Sequence, residues 1–237
     1  MTARMIILGT AIAGAAVAAL ATMPSPLRAS AAEAVVMPAP ALDVAAGAGP
    51  QTAVFAGGCF WGIQAVFQHI DGVTSAVSGY SGGQSANPTY QQVSRGTTGH
   101  AEAVRVTYDP ARVSYATLLR IFFSVALDPT EVDRQGPDTG TQYRSELFVD
   151  GTEQERVARG YIAQLDAAHI FTKPIATRVD PVQPFYAAEG YHQDYLIHHP
   201  DNGYIAMNDM PKVEALQRLF PQNWRDAPAA VGPLAAR

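Results

Sequence analysis

The chain has 237 residues, 48% hydrophobic and 16% charged, with a net charge of −5. That composition fits a globular chain with one good-sized core and excludes a disordered polyelectrolyte; with no basic excess to neutralise phosphates, nucleic acid is not expected as a partner. A single cysteine excludes an internal disulfide, a cysteine-only zinc site and a Cys-x-x-Cys redox pair.

The first 50 residues hold 17 alanines and none of the 21 aromatics. Arg4 precedes an uncharged apolar run, Met5 to Met23, which Pro24 breaks before Ala29-Ser30-Ala31 and Ala32-Glu33-Ala34. A basic start, an apolar middle and an Ala-x-Ala site are the order of an export signal. If uncleaved, the 19-residue run is just long enough for a membrane anchor. The Ala/Pro/Gly-rich residues 32–50 read as a linker.

Thr52 to Ala56 predicts a strand, with a turn at Gly57-Gly58. Ile63, Val66, Phe67 and Ile70 share one face of a helix. Val73 to Tyr80 alternates as a strand, Ser81 to Thr89 is a loop, and Glu102 to Tyr108 alternates again. Ser114 caps a helix carrying Tyr115, Leu118, Leu119 and Phe122, stopped at Asp128-Pro129. Asp133 to Gln142 is a polar loop, and Arg144 to Val149 a strand. The order β-α-β-β-α-β predicts an α+β fold, a ferredoxin-like two-layer sandwich with additional C-terminal helices and long loops. Beyond it, Thr152 and Glu155 predict a capping box for a helix to Ala168. Ile175 to Val179 predicts a short strand, and Ala187–His198 and Lys212–Phe220 two further helices.

Cys59, between an entering strand and a leaving helix, stands at a helix N-terminus. The free N–H groups and dipole there favour an anion, which predicts a thiol pKa below about 8.5. Glu102 shares strand parity with Val104, Val106 and Tyr108, so its carboxyl should face the core. Lost hydration would then raise its pKa and keep it protonated, able to donate a proton.

Gly57-Gly58-Cys59-Phe60-Trp61-Gly62, Gly79-Tyr80-Ser81-Gly82-Gly83, Asn87-Pro88-Thr89-Tyr90 and Thr98-Gly99-His100-Ala101-Glu102 occur in that order. Gly140-Thr141-Gln142-Tyr143-Arg144-Ser145 and Glu189-Gly190-Tyr191-His192-Gln193-Asp194-Tyr195 follow. This ordered set resembles the peptide methionine sulfoxide reductase A family. The resemblance implies that Cys59 is the nucleophile and Glu102 the acid that protonates the sulfoxide oxygen. It implies that Tyr90 and Tyr143 bind that oxygen and that Asp138 helps to hold water. Phe60 and Trp61 would cage the methyl on sulfur. It further implies reduction of the S epimer of methionine sulfoxide through a sulfenic acid on Cys59, with no metal or organic cofactor. The expected partners are methionine sulfoxide in oxidised proteins or peptides and an external thiol, either a small thiol or a glutaredoxin- or thioredoxin-like protein. Ser94 stands where some relatives carry a second cysteine, so the chain resembles the single-cysteine type.

The expected organisation is therefore a signal peptide or membrane anchor over 1–31, a linker over 32–50, a reductase domain over 51–222 and a mobile tail over 223–237. The exported product is expected to be periplasmic and monomeric, with no membrane contact once the signal is cleaved. Three other readings compete, one of them a non-catalytic methionine-binding module. Cys59 with His100 or His192 would suit a cysteine hydrolase or acyltransferase. Glu189 and His192, with His198-His199 nearby, are a sparse metal-ligand set.

Overall fold

The computed structural model describes residues 34–231; the export signal expected over 1–31 lies outside them. The core elements are β1 (Gln51–Gly57), α1 (Phe60–Gln68), β2 (Val73–Ser81), α2 (Tyr90–Val93), β3 (Ala101–Tyr108) and α3 (Tyr115–Ile121). A π turn over Phe122–Ala126 continues α3. A small hairpin, β4 (Arg134–Gln135) and β5 (Asp138–Thr139), precedes β6 (Ser145–Val149) and α4 (Gly151–Ala167). Then come β7 (Arg178–Pro181), β8 (Tyr186–Ala187), α5 (Tyr195–His198) and α6 (Met210–Leu219).

The six-stranded sheet runs β7-β6-β1-β3-β2-β8. Its four inner strands are mutually antiparallel, with β1 and β3 in the middle; this is the expected ferredoxin-like split βαβ arrangement. β7 joins parallel to β6, and β8 antiparallel to β2. On one face, Phe55, Val104 and Val106 meet Ile63, Val66 and Phe67 of α1 and Leu118, Leu119 and Phe122. Phe55 anchors that core, its ring 4.6 Å from Phe67 and 5.2 Å from Phe122. The reverse face buries a smaller set: Val54, Ala56, Ala101, Ala103 and Phe148, packed by Phe185. The alternation along β3 thus sorts even positions to the helices and odd ones to the reverse face.

Three expectations about these elements change. Thr152 lies inside α4, whose N-cap is Asp150; Gln154 rather than Glu155 reaches back, accepting the Asp150 N–H at 3.0 Å while donating to the Thr52 carbonyl at 2.8 Å. The strand expected at Ile175–Val179 sits at Arg178–Pro181, where parallel pairing with β6 sets its register. The helix expected over Ala187–His198 is broken into β8, a 3₁₀ turn (Gly190–His192) and α5, with Asp194 left-handed at φ 54°. There Gln193 turns inward and replaces helical bonding, taking the Ser78 N–H at 3.0 Å and donating to the Ser78 carbonyl at 2.9 Å.

The segments expected as linker and mobile tail are each anchored to the domain by contacts among the described residues. Met37 is buried, its N–H on Ser124 Oγ at 3.0 Å and its carbonyl on Arg120 Nε at 2.7 Å. The Tyr161 hydroxyl holds the Pro38 carbonyl at 2.8 Å. At the other end Trp224 stacks on His69 with ring centroids 4.5 Å apart, and the Ala229 N–H reaches the Gln68 carbonyl at 2.9 Å. Low-complexity composition did not prevent docking because backbone groups, which every residue carries, make most of these bonds.

Candidate active site

Cys59 is the N-cap of α1 and is buried. Gly58 turns the chain into the helix at φ +105°; a Cβ there would lie 2.7 Å from the Gln135 side chain, so this turn requires glycine. Glu102, also buried, comes from the neighbouring end of β3, and its Oε2 accepts the Phe60 N–H at 3.0 Å. The thiol and the carboxyl therefore share the first turn of one helix. They open on a cleft of about 200 Å³ lined by Cys59, Phe60, Trp61, Tyr90, Glu102, Asp138, Tyr143 and Tyr204. All seven site residues expected from sequence reach this cleft.

Supporting contacts fix the rings. Glu189 takes the Tyr90 N–H on Oε1 and the Tyr80 hydroxyl on Oε2, each at 2.9 Å. Trp61 donates its indole N–H to His192 Nδ1 at 3.1 Å and stacks on Tyr195, centroids 3.8 Å apart and 6° from parallel. Tyr204 donates its hydroxyl to Asp138 Oδ2 and meets Trp61 edge-on.

Sequence reasoning missed Tyr204, Tyr195 and the clamping role of His192. Their signal in the chain is the motif Glu189 to Tyr195, which holds His192 and Tyr195, and a further tyrosine at 204. The rival readings lose their residues in the same contacts. Burial pushes the His192 imidazole down to about 4, so it is neutral, and its Nδ1 serves Trp61. His100 Nδ1 accepts the Gly83 N–H and its other nitrogen bonds the Ser85 carbonyl, and His100 does not line the cleft. Both oxygens of Glu189 are engaged, and no group of three or more potential ligands for a metal occurs among the described residues.

The electrostatics follow from burial. Glu102 is pushed up to about 8, first by burial, against the pull of the Phe60 N–H, with Asp138 and Asp209 adding to the rise. It is un-ionised at neutral pH, as its strand parity predicted. The Cys59 expectation is overturned. Its thiol lies well above the ordinary value because burial outweighs the helix terminus, and Glu102 and Asp209 push the same way. The Trp61 N–H and Lys212 oppose that rise. Burial likewise holds Tyr90, Tyr143 and Tyr204 above the usual phenol range, so they remain O–H donors.

One cysteine, one neutral acid and a ring-walled cleft on a ferredoxin-like sheet define a thiol-based oxidoreductase rather than a hydrolase. The peptide methionine sulfoxide reductase family profile matches residues 51–224. Peptide methionine sulfoxide reductase MsrA 2 of Mesorhizobium japonicum is 50% identical over 190 residues, covering 80% of this chain and 97% of that protein. Its namesake from Synechocystis is 47% identical over 81% of this chain and 89% of its own. Among solved structures, Mxr1 from Saccharomyces cerevisiae in reduced form superposes with a TM-score of 0.61 at 32% identity, over 65% of this chain and 87% of that one. Methionine sulfoxide reductase A of Corynebacterium diphtheriae gives 0.54 at 31% identity, over 74% and 92%. The chain belongs to the peptide methionine sulfoxide reductase A family.

Proposed function

We propose that this chain reduces methionine S-sulfoxide, in oxidised proteins and peptides, through a sulfenic acid on Cys59. The observation that carries the reading is the neutral Glu102 carboxyl held on the Phe60 N–H, one residue from the thiol. Glu102 gives its proton to the sulfoxide oxygen, aided by hydrogen bonds from Tyr90 and Tyr143. The sulfur becomes electrophilic, and oxide becomes a leaving group. Glu102, now a carboxylate, takes the thiol proton as Sγ attacks and passes it to the same oxygen, which departs as water. A water molecule then adds to Sγ, methionine leaves, and the released proton returns to Glu102. The net result is methionine and a sulfenic acid on Cys59. Phe60 and the clamped Trp61 enclose the methyl on sulfur.

With no second cysteine in the chain, recovery falls to external thiol. One thiol condenses with the sulfenic acid, releasing water and leaving a mixed disulfide. A second thiol exchanges to free Cys59 and leaves as disulfide. An epimer-resolved assay with a small thiol should show loss of the S sulfoxide alone, none with Cys59→Ser, and a mixed disulfide on Cys59 by mass spectrometry. Turnover by Cys59→Ser would overturn the assignment.

We also infer export, supported by Arg4, the apolar run to Met23 and the Ala-x-Ala sites. N-terminal sequencing of protein from fractionated cells should find a mature start near Ala31 or Ala34 outside the cytoplasm. Full-length chain in the cytoplasm would refute it.

A further inference from the structure

Gly62, in the first turn of α1, lies against the carboxylate of Asp209: a Cβ there would overlap Oδ1 and approach Cγ to 2.7 Å. Asp209 is fully buried. Its Oδ1 pairs with Lys212 Nζ at 3.3 Å, and the lysine side chain keeps only 19% exposure. Its Oδ2 has no hydrogen-bond partner. Such a carboxylate is costly to bury, and a lone lysine contact at this distance satisfies it incompletely. Both residues come from the junction of the second π turn (Ile205–Asp209) with α6, which packs on α1 and places this charge pair under the helix that Cys59 caps. The charge pair has no part in the sulfoxide reduction derived above. In so dry a setting its charges are felt at the thiol far more than they would be in water.

We propose that Asp209 and Lys212 are positioning residues that tune how readily Cys59 gives up its proton. Asp209 lies against the first turn of α1 and holds Lys212 in an ion pair; Lys212 favours the thiolate, and Asp209 opposes it. The proposal rests on Cys59 being the nucleophile. The other titratable groups facing the thiol are Glu102 from β3, Asp138 from β5, and the hydroxyls of Tyr90, Tyr143 and Tyr204. Of the two charges in the pair, only Lys212 pulls the thiol toward ionisation.

Because the chain has one cysteine, the pH dependence of alkylation by iodoacetamide reports on Cys59 alone. In the full chain, Lys212→Met should raise the alkylation midpoint by about half a unit, slowing alkylation at pH 8 about threefold. It should lower kcat for sulfoxide reduction more than it raises KM, and Lys212→Arg should restore both. Asp209→Asn, which keeps an oxygen for Lys212, should move the midpoint the other way. Opposite shifts carry the proposal; shifts in one direction, or none, overturn it. If Lys212→Met fails to fold, Asp209→Asn decides alone: a fall supports the tuning role and an unchanged midpoint refutes it. Sulfoxide reduction by the unaltered chain is measured in parallel. Its absence would defeat the functional reading, while the alkylation midpoints would still decide this inference.

Discussion

Two buried glutamates, one on each face of the sheet, meet opposite fates. Glu102, on the helix side, has no ion-pair partner among the described residues and stays protonated to about pH 8. Glu146, on the reverse face, is also buried but bonds Arg144 Nε at 2.5 Å, and its pKa rises only to about 6. Burial pushes both upward, Glu102 the more fully enclosed, and a paired guanidinium pulls Glu146 back. In the proposed mechanism the difference separates chemistry from support: the carboxyl without a counter-charge keeps a proton to give, and the paired one stays in an ion pair on β6 beside β1.

The largest expected break in this comparison is Glu102→Gln. An amide can hydrogen-bond the sulfoxide oxygen but cannot protonate it, so kcat/KM should fall on the order of 10²-fold or more. The sign of the pH effect follows from the proton count. In the proposed mechanism Glu102 acts in its protonated form, so its contribution is expected at neutral pH and lost as pH rises through about 8. That falling limb should be absent from the Glu102→Gln profile. A limb that persists unchanged would assign the acid elsewhere.

Next in size is Arg144→Met, which strands Glu146 without its partner. With side chains only 7% and 5% exposed, loss of one partner should cost about 3–5 kcal/mol in urea unfolding. The double change Arg144→Met/Glu146→Leu should recover most of it, because removing both charges also removes the desolvation they share. If the single variant is as stable as the parent, the pair does not offset Glu146's burial. The smallest effect belongs to the rim of the reverse face. Arg105 lies 4.7 Å from the Phe185 ring centroid, and Arg105→Ala should cost about 0.5–1 kcal/mol with kcat/KM unchanged. A catalytic loss there would mean that the two faces are not separable.

The legibility of the chain followed the range of each interaction. Parity along β3 correctly turned Glu102 inward, and helical spacing placed Ile63, Val66 and Phe67 in the core, because both patterns repeat within a few residues. The stretch from Ala187 to His198 misled because its polar residues read as a helix surface. Gln193 instead bonds β2, and His192 clamps a tryptophan 131 positions earlier. The Cys59 thiol misled for a related reason: its helix terminus is visible locally, whereas the burial that outweighs it is assembled from β3, β5 and the C-terminal segment.

Taken alone, the residues determined the βαββαβ order, a lone thiol at a strand–helix turn and an inward acid two strands away, since each is a matter of neighbouring positions. Tertiary packing decided which acid keeps its proton, how hard the thiol is to ionise, and which rings hold Trp61. Those depend on dehydration and on charges brought together from distant parts of the chain, and no local pattern encodes either.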